Sequence, residues 1–265
     1  MNKPIGIFDS GIGGLTVLKA IKKMLPEETL IYLGDTARVP YGNKSKDTII
    51  RYSIENTNFL VRFDIKMLVI ACNTSTAMSI EILKEKFNIP IVGVIEPGAK
   101  KAVAVTKNNR IGVIGTEATI KSKAYQNIIK TLNPKATIFA KPCPLFVPLV
   151  EEGLLKGRVA DSVVEMYLKS FKVKGIDVLV LGCTHYPLLK NTIRRYFEGK
   201  VKIVDSAEET AKVVSDMLNE KGLLNKGKKE EDKYFVTDAA QRFLKVGKTI
   251  MGKDLKEVYT VQIGK

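Results

Sequence analysis

The chain has 265 residues, 45% hydrophobic and 27% charged, with three cysteines, a single histidine and a formal net charge of +15. Those proportions exclude a disordered chain and leave room for two α/β domains or one large one. A membrane-spanning helix is excluded because no apolar run reaches about 18 residues, and the first residues enter a strand rather than the three-part pattern of a signal peptide, so a cytoplasmic protein with free thiols is expected.

An apolar run at residues 5–8 reads as a buried strand, followed by Asp9-Ser10-Gly11-Ile12-Gly13-Gly14 and a helical pattern at 14–24. The amides and the Ser10 hydroxyl at that helix start suit an anion. As a dinucleotide fingerprint the loop is poor, because Thr16 stands at the third glycine position and Asp9 would crowd a pyrophosphate. A small carboxylate fits it better, with a purely structural tight turn as the alternative.

A second strand at 30–33 runs into Gly34-Asp35-Thr36, and a helix is expected over 46–63. The third strand, 67–71, ends on Cys72, with Asn73-Thr74 and a helix at 75–87 behind it. A sulfur between a strand's carboxyl end and a helix's amino end sits where backbone N–H groups and the helix dipole favour the thiolate. After a strand at 91–94, Glu96-Pro97-Gly98 reads as a turn and as the joint to a second unit.

That unit opens with a strand at 111–114, Gly115-Thr116 and a helix over 117–132, then a strand at 136–139. Cys143, bracketed by Pro142 and Pro144, lacks the strand-to-helix setting and is read as structural. A helix at 158–171 leads to a strand at 178–181 and to Gly182-Cys183-Thr184-His185, with a helix at 188–196. A strand at 201–204, a helix at 207–221 and a strand at 234–236 close the pattern. The lysines at 221, 226, 228, 229 and 233 are interleaved with Glu230, Glu231 and Asp232 and read as a solvated loop. Neither a one-signed stripe nor stacking aromatics stand out, so nucleic acid is not an expected partner, although the positive field should draw small anions.

Alternation of short apolar runs with helices predicts mainly parallel sheets covered by helices, with the polar clusters gathered beyond the strands' carboxyl ends. Ile5-Gly6-Ile7-Phe8-Asp9-Ser10 is echoed by Ile111-Gly112-Val113-Ile114-Gly115-Thr116, an offset of 111 − 5 = 106, and the cysteines are offset by 183 − 72 = 111. The expectation is an α/β protein of two similar doubly wound domains related by a pseudo-twofold axis, with the site in the cleft. The first domain would comprise residues 1–97 plus 206–265, and the second 98–205.

Two opposed thiols answer a specific chemical need. A carbon bearing an acidic hydrogen is inverted when a thiolate removes the proton from one face and a thiol returns one to the other. His185, two residues beyond Cys183, could assist proton transfer. Zinc on Cys72, Cys183 and His185 is disfavoured, since the sequence offers no CxxC pair and no clear fourth ligand.

The segments 8–15, Gly34 to Gly42, Ala71 to Ala77 and Leu181 to Leu188 together resemble the cofactor-independent glutamate racemases of the aspartate/glutamate racemase superfamily. The resemblance implies interconversion of L- and D-glutamate for peptidoglycan synthesis, with no cofactor and no metal. It marks Cys72 as the group acting on D-glutamate and Cys183 as the one acting on L-glutamate. Asp9 would support Cys72, His185 would support Cys183, and Glu151 would be a further acidic residue of the site. Asp9, Ser10, Tyr41, Gly42, Asn73, Thr74, Thr116, Thr119, Thr184 and His185 would contact substrate. The implied partner is the small molecule glutamate, with no membrane and with a homodimer left open. Competing readings are an aspartate racemase and a hydrolase or amidotransferase using Cys183 as nucleophile.

Overall fold

The computed structural model describes residues 3–264. Its strands are β1 (Ile5–Asp9), β2 (Leu30–Gly34), β3 (Met67–Ile70), β4 (Ile91–Gly93), β5 (Arg110–Gly115), β6 (Thr137–Pro142), β7 (Val178–Gly182), β8 (Lys202–Val204), β9 (Lys233–Val236) and β10 (Tyr259–Thr260). The helices are α1 (Leu15–Met24), α2 (Lys46–Val61), α3 (Asn73–Lys86), α4 (Ile95–Val105), α5 (Glu117–Lys121), α6 (Ala124–Leu132), α7 (Phe146–Glu151), α8 (Arg158–Val173), α9 (Lys190–Tyr196), α10 (Ala207–Glu220) and α11 (Ala240–Met251). All strand pairs are parallel and fall into two sheets, ordered β10-β9-β2-β1-β3-β4 and β6-β5-β7-β8.

The order β2-β1-β3-β4 of the first sheet recurs as β6-β5-β7-β8 in the second, so β3 and β7, each followed by a cysteine, hold equivalent places. Every residue of β1, β3 and β7 is buried. Strands covered on both faces need continuous apolar runs, which is why IGIFD, MLVI and VLVLG carry no polar alternation before the strands' carboxyl ends. Separate clusters pack each face: Leu15, Leu18 and Val214 with Ile7 and Val69 on one side of the first sheet, Leu60 and Leu83 with Phe8 and Ile70 on the other. The second sheet is filled by Ala99, Tyr125 and Val180 on one face and Phe146, Leu168 and Leu181 on the other.

Several expectations are corrected. Glu96-Pro97-Gly98 is no turn but part of α4, whose Ala99 and Ala102 enter the second sheet's core. Proline is tolerated there because a first-turn N–H has no intrahelical acceptor to lose. The helix expected over 117–132 breaks between α5 and α6 at Ser122 and at Lys123, which has φ 57°. The helices α4, α7 and α11 and the edge strand β10 carry no expectation from the sequence.

Candidate active site

Cys72 stands at the N-cap of α3, where the Ser75 amide donates to its sulfur at 3.5 Å and its own S–H lies 3.7 Å from Ser10 Oγ. Burial, and then the charge of Asp9, push this thiol up to about 12, against the weaker pull of the Ser75 and Ser10 hydrogen bonds. Cys183 follows β7 directly and has a different neighbour, His185 Nδ1 at 3.9 Å. The other ring nitrogen, Nε2, meets Glu151 Oε1 at 2.8 Å. Burial opposes the imidazolium, but the Cys183 sulfur, the Glu151 carboxylate and Asp9 outweigh it and hold the ring up to about 10. Glu151 is correspondingly held below the usual carboxylate range, because its bond to His185 and the nearby Arg242 outweigh its own burial. One sulfur therefore sits among hydroxyl and amide dipoles, the other beside a buried cation.

Both sulfurs line one cavity, together with Ser10, Val39, Pro40, Tyr41, Gly42, Asn73, Thr74, Thr116, Val147, Thr184 and His185. Its volume is about 10 Å³, at the threshold for a single water. The halves are closed on each other, and two of the hydroxyl contacts between them are related by the repeat. Thr184 Oγ1 donates to Asp9 Oδ1 at 3.2 Å, and Thr74 Oγ1 meets Thr116 Oγ1 at 2.9 Å. The first joins the end of β1 to the loop after β7, and the second joins the residue after β5 to the first turn of α3, which follows β3. These pairs exchange when the equivalent strands of the two sheets are exchanged, as an approximate twofold requires.

The remaining expected residues fall into two groups. Asp9, Thr119 and Glu151 stand behind the cavity wall. Asp9 Oδ2 takes the amides of Gly11 and Gly14 at 3.1 and 3.0 Å, so the anion held by this loop is the loop's own aspartate rather than a ligand. Its influence on Cys72 is through charge, while Ser10 makes the contact. Thr119 closes a hydroxyl triangle with Thr74 and Thr116, at 3.2 and 3.0 Å. Tyr41 lines the cavity, but its hydroxyl turns away to Asp35 and receives a hydrogen bond from Asn56 Nδ2 at 3.0 Å. Gly42 packs so closely on Thr116 that an added Cβ would lie 2.4 Å from the threonine Cβ. Cys143, expected to lack a strand-to-helix setting, in fact stands between β6 and α7, but it is buried in the second sheet's core rather than in the two-sulfur cavity. Among the described residues no group of three or more His, Cys, Asp or Glu is arranged to hold a metal ion.

Sequence reasoning missed Arg242, whose Nη2 donates to the Glu151 carbonyl and to Glu152 Oε1, both at 2.9 Å, tying α11 to the end of α7. It also missed Tyr125, whose hydroxyl donates to Asn73 Oδ1 at 2.7 Å. Neither carries a motif: Tyr125 reads as one more residue on the apolar face of a helix, and Arg242 as one of many surface cations.

Residues 5–214 match the Asp/Glu/Hydantoin racemase family model. A glutamate racemase from Geobacter metallireducens is 53% identical over 262 residues, spanning 98% of this chain and 97% of that one. A crystal structure of a glutamate racemase isoform from Bacillus anthracis superposes with a TM-score of 0.94 at 38% identity, covering 98% of this chain and 97% of the other. The Francisella tularensis glutamate racemase, solved in complex with D-glutamate, gives 0.92 at 39% identity and 98% coverage of both chains.

Proposed function

We infer, because this chain belongs to the Asp/Glu/Hydantoin racemase family and is similar over nearly its whole length to glutamate racemases, that it interconverts L- and D-glutamate. The product D-glutamate would serve peptidoglycan synthesis. The observation that carries the reading is the pair of sulfurs in the wall of one cavity.

In this reading Cys183 takes the α-proton of L-glutamate and the Cys72 thiol delivers a proton to the opposite face; in reverse they exchange roles. The two environments suit the division. The His185 imidazolium, anchored by Glu151, stands beside Cys183 on the side of the pair that faces L-glutamate in this reading. Burial and the Asp9 charge keep Cys72 protonated and ready to donate. The carbanion between the two transfers needs donors already aimed at the adjoining carboxylate, and the hydroxyls of Ser10, Thr74, Thr116 and Thr184 supply candidates around the cavity. Glutamate is far larger than one water, so entry requires the halves to part and the Asp9–Thr184 and Thr74–Thr116 contacts to open.

Chiral chromatography of L-glutamate incubated with the protein tests the activity. D-glutamate should accumulate, and in deuterated water it should carry deuterium at the α-carbon. Cys72→Ala and Cys183→Ala should each abolish racemisation while the circular dichroism spectrum stays unchanged. Preferential turnover of aspartate would replace glutamate as the substrate, and full turnover by Cys72→Ser would point to single-thiol nucleophilic chemistry instead.

A further inference from the structure

We propose that Tyr125 is a positioning residue of this site, which fixes the Asn73 side-chain amide so that its NH₂ group meets a carboxylate of the bound amino acid. The proposal deepens the racemase reading and rests on it.

Three observations converge on this tyrosine. Tyr125 is fully buried in the second sheet's core, yet its hydroxyl crosses to the first half and donates to Asn73 Oδ1 at 2.7 Å. Asn73 is the residue after Cys72 and lines the two-sulfur cavity. Its Nδ2 is buried and has no hydrogen-bond partner among the described residues. An orphaned buried amide N–H₂ costs free energy unless a partner arrives, and an anionic substrate oxygen is the partner this cavity would receive. An amide bonded through its oxygen cannot rotate to present that oxygen to an anion, so the tyrosine selects the orientation that attracts a carboxylate.

The ring is held as firmly as the hydroxyl. Gly182, which immediately precedes Cys183, lies so close that an added Cβ would be 3.0 Å from Tyr125 Cε2. At Gly98 of α4 an added Cβ would be 3.2 Å from the tyrosine oxygen. Tyr125 therefore rests on the strand end that carries one cysteine while its hydroxyl sets the residue beside the other.

Tyr125→Phe keeps the ring packing and removes only the hydroxyl. Loss of one oriented hydrogen bond should raise KM for glutamate about ten-fold, with kcat within about two-fold, as expected when ground-state binding is what suffers. The melting temperature should fall modestly, because the buried Asn73 Oδ1 is left without its donor. Asn73→Ala should raise KM at least as much, and the double variant should match Asn73→Ala alone, because the tyrosine acts through the asparagine. Asn73→Asp is a second probe that does not depend on altering Tyr125. It keeps an acceptor for the hydroxyl but aims an anion at the substrate, so stability should hold while KM rises by well over ten-fold.

An unchanged KM in Tyr125→Phe, additive effects in the double variant, or ordinary glutamate affinity in Asn73→Asp would each overturn the proposal. A crystal structure of Tyr125→Phe gives a reading independent of turnover. The Asn73 amide should be rotated or disordered, and an amide unmoved from its present position would also overturn it. If the wild-type protein failed to turn over glutamate, the racemase reading would fall while that structural comparison still judged the role of Tyr125.

Discussion

At the scale of single residues, the two thiols are equivalent in the chain's internal repeat and unequal in their surroundings. Cys72 meets Ser10 and the Ser75 amide, whereas Cys183 meets His185. The histidine should leave a mark on stability. Its imidazolium persists to about 10 in the folded protein against an ordinary 6.5, so the stabilisation it gives is complete below pH 6.5 and is lost as pH rises towards 10. Melting temperature should decline across that window. Glu151→Gln removes the anion that helps hold the ring charged, so it should shrink the decline and move the alkaline limb of the racemisation profile to lower pH. Thermal melts from pH 6 to 10 and pH–rate profiles would measure both.

At the scale of elements, the site depends on loops that touch where strands end. Gly13 lets the turn before α1 lie on the loop after β7: an added Cβ would fall 2.5 Å from Thr184 Oγ1 and 2.8 Å from the His185 amide nitrogen. Gly13→Ala should therefore cost about 1–3 kcal/mol and most of the activity, seen in denaturant melts and in the racemisation assay. The tie from α11 to α7 is gentler, because Arg242 and Glu152 are both more than half exposed. Arg242→Ala should leave stability almost unchanged and lower turnover about two- to five-fold, through looser placement of Glu151. Strand runs such as 67–70 and 178–182 are legible in the sequence because burial on both faces demands unbroken apolar residues. The short α7 and the C-terminal α11 are not, since their faces are completed by partners far away in the chain. For the same reason the motifs mark Cys72, Cys183 and His185, while Tyr125 and Arg242 emerge only when the two halves are brought together.

At the scale of the whole molecule, the net charge of +15 is not gathered into a motif but still creates a field. A dicarboxylic amino acid should be drawn in by it, so KM should rise as sodium chloride is raised from about 10 mM to 300 mM, where the Debye length shrinks well below the span of the protein. An activity indifferent to salt would assign the charge no part in capture. The paired hydroxyl contacts that close the cavity also bear on how substrate is held. An arriving carboxylate finds the Asn73 Nδ2 free, but the threonine hydroxyls it meets are already satisfied by Asp9 or by each other. Around those threonines hydrogen bonds are traded rather than added, which trims the net gain on binding. A catalyst so arranged surrenders tight retention of its ligand and in return releases either mirror image readily.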